Sequence, residues 1–166
     1  MTRIPLPFLA VLAAALPAAG GAFAPTAAGS ARHDAAEFAV IRHVNAFRSA
    51  NGLARVRPNR SLSRAADRHS RDMLRRDFFD HSSSDGTPFD RRVRRYSGAT
   101  MIGETLAAMG AGAGGAATIV RMWANSPTHR AVLLAGGFRR IGVARRRGTL
   151  AGARQSVFTA DFASAR

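Results

Sequence analysis

The chain predicts an α+β domain in which helices flank a small antiparallel sheet. Three observations carry that expectation. Apolar residues recur at helical spacing through residues 34–50 and 61–76. Side chains alternate from Ala99 to Met109. Two segments near the end, Phe138 to Arg145 and Gln155 to Phe162, read as strands. No internal repeat is visible along the 166 residues.

The start of the chain reads as an export signal. Met1-Thr2-Arg3 supplies one positive charge, Ile4 to Ala19 is almost wholly apolar, and small residues follow. Pro5, Pro7 and Pro17 interrupt the apolar run, which is too short to span a bilayer comfortably. Ala22-Phe23-Ala24 has a small-x-small cleavage pattern, but Pro25 directly after it would hinder cleavage. The cut is therefore expected between positions 19 and 30, with residues 1–28 assigned to the signal peptide and 31–166 to one domain. The mature chain is expected to be secreted or periplasmic, without a transmembrane segment. Roughly 140 residues are enough to bury one core.

The first helix spans about 34–50. Asp34 and Glu37 lie at its start, Phe38, Ile41, Val44 (or Asn45) and Arg48 recur along it, and Gly52 stops it. The second runs from about Ser61 to Arg76, with Leu62, Ala65, Ala66, His69 and Met73 on one face. On that face His69 is expected to be a hydrogen-bonded core histidine. Thr87-Pro88-Phe89-Asp90 gives an N-cap, a proline at the first helical position and an acid at the third, opening a short helix to about Tyr96. In the strand from Ala99 to Met109, Ile102, Glu104 and Leu106 share a face. A glycine-rich link, Gly110 to Gly115, leads to a helix carrying Ile119, Val120 and Trp123, and a shorter helix spans Pro127 to Leu134. The last two strands are expected to be joined by a loop containing Gly148 and Gly152.

Composition excludes several classes. With no cysteine there is no disulfide, no thiolate metal site and no cysteine-linked lipid anchor. All 25 basic residues are arginine, against 10 acidic residues, for a net charge of +15. Removing the leader takes away only Arg3, so 15 − 1 leaves +14. Such a field favours solubility and attracts anionic envelope polymers or lipid head groups. Nucleic acid is not an expected partner, because aromatics are few and none is interleaved with arginine as a stacking platform. A monomer is expected. Gly110-Ala-Gly-Ala-Gly-Gly115 satisfies the dinucleotide-binding spacing, but no acid occurs between Glu104 and Asp161 to hold a ribose, and there is no room for repeated βαβ units. A surface loop is the better reading.

The residues that can carry chemistry are His81 in a loop, Glu104 in an apolar strand and His129 in Trp123-Ala-Asn-Ser-Pro-Thr-His-Arg130, lying 23 and 25 positions apart. Two imidazoles and a carboxylate brought together by a small fold can bind a divalent metal or run acid/base chemistry. Ser126-Pro127 reads as a helix start with the serine hydroxyl capping, which puts His129 in the first turn. The positive helix end there disfavours imidazolium. Glu104, one of two glutamates, shares its face with apolar residues and needs a partner.

The ordered set of Asn45-Ala-Phe-Arg48 with Asn51-Gly-Leu53, Leu62-Ser-Arg-Ala-Ala66 with His69 and Met73, His81 to Arg91, Gly103-Glu104, Trp123 to Arg130 and Phe138 to Val143 resembles the CAP superfamily of SCP (sperm-coating-protein-like) domains. It covers about residues 36–163, and the lack of cysteine resembles its bacterial secreted branch. The resemblance implies a three-layer α-β-α sandwich and a pocket of two histidines and two glutamates. His81 and His129 are then the candidate metal ligands, for zinc or another divalent ion, with Glu104 as ligand, orienting group or catalytic base. Trp123 and Ser126 are the candidate supports of the pocket. The family's second glutamate falls on Ser126 here, which breaks the carboxylate pair that glycosidase-type chemistry requires and argues against an enzyme. Gly103-Glu104 is followed by Thr105 where asparagine is common. The leading expectation is a secreted protein with a shallow His/Glu pocket for a divalent metal or small ligand. The alternatives are a metal-assisted hydrolase of peptide or cell-wall substrate with Glu104 as base, and a non-catalytic basic module that binds the envelope.

Overall fold

A computed structural model describes residues 34–110 and 112–165. The expected signal peptide lies outside the described residues.

Helix α1, Ala35–Ala50, opens with a capping box: the Asp34 carboxylate accepts from the Glu37 N–H at 2.8 Å, and the Glu37 carboxylate accepts from the Asp34 N–H at 3.0 Å. Its buried face is Glu37, Val40, Ile41, Val44, Asn45 and Arg48. Phe38 stands off that face and is exposed. Asn45 then fixes the outgoing chain, its amide donating to the Val56 carbonyl (3.0 Å) and accepting from the Val56 N–H (2.8 Å). This lays the two-residue strand β1, Arg57–Pro58, beside strand β3, Phe138–Leu150.

Helix α2, Arg60–Arg76, is capped by the Asn59 side chain, which accepts from the Leu62 N–H at 3.0 Å, and it ends at Asp77 in the left-handed region (φ 51). Helix α3 runs over Phe89–Ser97. Its cap position is Pro88 rather than the expected Thr87, and no side chain caps it. Thr87 is committed elsewhere: its carbonyl accepts from the Ser83 N–H (2.9 Å) and its N–H goes to the Asp85 carboxylate (2.8 Å), so it closes the loop before the helix. Strand β2, Ile102–Gly110, follows, then α4, Ala116–Asn125, and α5, Pro127–Leu134.

Strand β3 and strand β4, Ala153–Ser164, are both longer than the sequence pattern suggests. The expected loop with Gly148 and Gly152 is a two-residue turn, and Gly148 sits within β3 opposite Gln155. Ala151 (φ 49) and Gly152 (φ 76) both have positive φ, as a tight twisted hairpin requires. The Asp77 carboxylate accepts from the Ala151 N–H at 2.6 Å and ties this turn to the end of α2.

The strand order is β1-β3-β4-β2. β2, β4 and β3 pair antiparallel as expected, whereas β1 pairs parallel with β3, so the sheet is mixed. Helices α1, α4 and α5 cover one face with the larger core, including Val40, Val44, Ile119, Trp123, Ile141 and Phe162. Helices α2 and α3 cover the other, around Leu62, Val93 and Ala163 and around Met73, Leu106 and Val157. The result is a three-layer α-β-α sandwich.

Gly142 sets the spacing of the second layer. A Cβ there would lie 2.2 Å from both the Leu62 carbonyl carbon and the Ser63 nitrogen of α2, backbone atoms that cannot swing away. Gly142→Ala is therefore expected to destabilise the domain by about 3 kcal/mol in urea denaturation. Gly52→Ala, strained at φ 70 but with nothing within 4 Å, should cost only about 1 kcal/mol.

Candidate functional site

Strand β2 places Glu104 on the α2–α3 side of the sheet, in line with Leu106 and Met73 rather than with the larger core. Its side chain is fully buried. Glu104 Oε1 lies 2.8 Å from His81 Nδ1, and Oε2 accepts from the Arg92 guanidinium. Because a carboxylate only accepts, His81 Nδ1 carries the proton in this bond. The neighbouring strand sets Asp161 directly opposite Glu104, also fully buried. Each of two carboxyls so placed disfavours the ionised form of the other.

The protein resolves this conflict unequally. Burial alone would raise the Glu104 pKa, but the His81 hydrogen bond and the Arg92 charge outweigh it and hold its carboxyl below the ordinary range. Burial, followed by the Glu104 charge, pushes Asp161 well above its ordinary value. As a carboxylate Asp161 would have no donor for either oxygen, and burial and the Glu104 charge both favour its neutral form.

The loop after α2 presents His81 and is pinned on both sides. His69 Nε2–H donates to the Asp80 carbonyl at 2.9 Å, and Arg92 donates to the His81 carbonyl at 2.9 Å and to Ser83 Oγ at 3.2 Å. His69 is thus the hydrogen-bonded core histidine its position on α2 suggests, 1% exposed, with its pKa lowered chiefly by burial. The His81 ring leans on Phe89, with centroids 5.9 Å apart, and keeps 47% of its side-chain surface exposed.

His129 arrives from α5. Its ring centroid is 6.5 Å from that of His81, tilted by 47°. Its pKa is lowered, first by burial and then by the neighbouring His81. Pro127 does open α5, but Ser126 makes no side-chain cap; its hydroxyl is 3.3 Å from Thr128 Oγ1 instead. Buried Arg48 secures the other end of α5 by donating to the carbonyls of Leu133 (2.7 Å) and Ala135 (3.0 Å). Trp123 is a core residue of α4, and its indole N–H donates to the Leu106 carbonyl at 2.8 Å. It supports the strand that carries Glu104.

The structure therefore brings His81, Glu104 and His129 together. Among the described residues, no group of three or more histidine, aspartate or glutamate side chains is disposed to hold a metal ion. Sequence reading missed two participants. Arg92 is hidden in an arginine-rich stretch, Arg91 to Arg95, where no local signal separates it from solvent-facing arginines. Asp161 could have been found, as an acid inside the apolar run Val157 to Ala163.

The paired acids have opposite pH signatures. Glu104, with its pKa lowered, contributes stability that is present above its ordinary value of 4.5 and is lost as pH falls through its folded value. Asp161 favours the fold below its ordinary value of 3.8 and opposes it increasingly as pH rises toward its folded value. Asp161→Asn keeps a donor for Glu104 without that opposing term. In urea titrations the variant should gain stability relative to the parent chain at pH 7, with a smaller gain or none at pH 3; equal changes at both would contradict a protonated Asp161.

Comparison with known proteins gives a consistent answer. The CAP model, described as the cysteine-rich secretory protein family, matches residues 41–162. The uncharacterized protein YkwD of Bacillus subtilis (strain 168) is 33% identical over 105 residues, covering 63% of this chain. Among solved structures, an extracellular SCP-domain protein from Bacillus anthracis str. Ames aligns with TM-score 0.63 and 25% identity over 75% of this chain. An outer surface protein from Borrelia burgdorferi also aligns with TM-score 0.63, at 19% identity over 76% of this chain and 90% of its own, which speaks to the fold alone. The chain spans only 40% of the YkwD length and 39% of the Bacillus anthracis chain.

Proposed function

The chain belongs to the CAP family of cysteine-rich secretory proteins, and we propose that it acts outside the cytoplasm as a binding domain whose His81–His129 pair takes a divalent cation. The bond between His81 Nδ1 and Glu104 Oε1 at 2.8 Å carries this reading. A carboxylate on Nδ1 fixes the ring and its tautomer and leaves Nε2 as the donor for an ion, the arrangement that commonly surrounds metal-bound histidines. Glu104 is then an orienting group rather than a ligand. Two imidazoles are a chemically suitable but minimal donor set for zinc or copper, so binding is weak and water or a ligand completes the shell. A bound ion there would supply a Lewis-acidic open position. The protein's own residues orient the rings, keep Glu104 ionised beneath them and hold the loop in place.

The hydrolase alternative receives less support. A general base must reach the proton it removes, and both oxygens of buried Glu104 are already engaged by His81 and Arg92. The extracytoplasmic location is supported by the leader-like start and by the extracellular description of the Bacillus anthracis relative.

Calorimetric titration of the domain with Zn²⁺ or Cu²⁺ at neutral pH should give saturable binding, lost in the His81→Ala/His129→Ala variant while circular dichroism stays unchanged. Equal affinity in that variant would remove the site. Mass spectrometry of cell fractions should find the chain outside the cytoplasm and shortened by about 19 to 30 residues; only full-length cytoplasmic protein would overturn the location.

A further inference from the structure

We propose that a second site, the cleft between α2 and α3, binds an anionic saccharide, a sugar unit bearing phosphate or carboxylate. The cleft encloses about 500 Å³ and is closed at one side by the loop of Ser83, Ser84 and Asp85. Five arginines line it: Arg68, Arg71, Arg75, Arg92 and Arg95. Two of these charges are matched within the protein, Arg71 by Asp67 at 3.1 Å and Arg92 by Glu104. Arg75 and Arg95 are exposed and make no hydrogen bond or ion pair among the described residues, and Arg68 only stacks on Tyr96, 5.9 Å from its ring centroid. Three arginines thus line one concave space without hydrogen-bond partners for their donors, Arg95 interacting only through its charge with Asp85, and this suits phosphate or carboxylate oxygens.

The rest of the lining points beyond a bare anion. Asp72, Asp85 and the hydroxyls of Ser83 and Thr87 share the walls. Carboxylates would repel a simple inorganic ion; Asp72 and Asp85 already accept from Ser84 and Thr87, and their remaining lone pairs can accept from sugar hydroxyls. At the floor, buried His69 and Arg92 each keep one polar atom, Nδ1 and Nε, without a partner among the described residues. Tyr96 offers a ring edge and phenol rather than a free stacking platform, since Arg68 already covers it. That disfavours a nucleobase, and the recessed shape disfavours a flat bilayer.

The site also has room to continue. Tyr96 lines a second cleft of about 680 Å³ with Arg55, Arg57, Arg139 and Arg140. Two arginine-lined spaces meeting at one tyrosine fit successive anionic units of a polymer better than a single sugar. This inference is independent of His81 and His129, which line neither cleft.

Binding of the full domain would be measured by calorimetry at low and physiological salt, using oligogalacturonate as the carboxylate probe and a phosphomannan as the phosphate probe. Dextran, oligodeoxythymidylate and phosphatidylglycerol vesicles serve as comparisons. At least one anionic saccharide should bind and dextran should not; which of the two binds distinguishes carboxylate from phosphate. Arg75→Gln/Arg95→Gln should weaken that binding about tenfold or more, two charge-assisted contacts being lost. Arg42→Gln/Arg121→Gln, which removes the same charge from exposed positions on the opposite helical layer, should change it less than about twofold. Equal loss in both variants would reduce the effect to net charge and overturn the site. Failure of both saccharides to bind, or DNA or vesicle binding that depends on Arg75 and Arg95 as strongly, would overturn it as well. A histidine-pocket variant that keeps saccharide binding but loses metal separates the two sites.

Discussion

A buried carboxylate that must stay ionised organises one half of this molecule. Glu104 has no exposed side-chain surface and faces a second buried carboxyl, Asp161, across the strand pair. Leaving such a charge unpaired in the interior would cost several kcal/mol. The protein offsets that cost with Arg92 from α3 and His81 from the loop after α2, and its interior favours the neutral form at Asp161 rather than at Glu104. Each of these solutions constrains an element. Arg92 can reach Glu104 only if α3 lies flat over β2, and its other guanidinium contacts then set the loop of residues 81–83. His81 is consequently placed by the same arginine that neutralises its partner.

The opposite face of the sheet supplies the second half of the pocket by different physics. There the core is apolar, and α5 is held by packing of Leu133 and by Arg48, which gathers carbonyls at the helix end. The two histidines therefore arrive from opposite layers, one fixed by buried electrostatics and the other by burial and helix anchoring. They meet at the edge of the sheet beside β2, its outermost strand, whose Glu104 holds His81. A site assembled from both layers moves if either layer slides, which is why the Gly142 contact with α2 matters far from the histidines.

Much of this was legible in the sequence, for reasons that differ by element. The α1 and α2 faces follow from periodicity, and the Asp34/Glu37 capping box is a local signal. His81, Glu104 and His129 stood out as chemistry-bearing residues in order along a familiar pattern. What failed to show was whatever depends on distant partners. β1 is two residues long and exists because Asn45 holds Val56, so no alternation could announce it. The end of β3 passes through Arg145, Arg146 and Arg147, whose polarity disguises a strand that stays paired with β4 as far as Leu150. Thr87 has the composition of a cap, but the loop claims its backbone first. Arg92 was indistinguishable from its neighbours because only the fold separates a buried arginine from an exposed one.

A bias toward arginine accounts for the count but not for the placement. Arg48 spreads one guanidinium over the carbonyls of Ala54, Leu133 and Ala135, and Arg92 bridges Glu104, the His81 carbonyl and Ser83. A planar group with five donors in a fixed fork meets several acceptors at once, which a lysine ammonium on a flexible stem does not. Both positions are buried, so each also depends on a cation that resists deprotonation. Exposed Arg75 on α2 and Arg95 on α3 make no such hydrogen bonds among the described residues. Their charge is left available at the surface of a cleft whose walls carry acceptors as well as donors, so the residue type that frames the fold also sets what the surface can recognise.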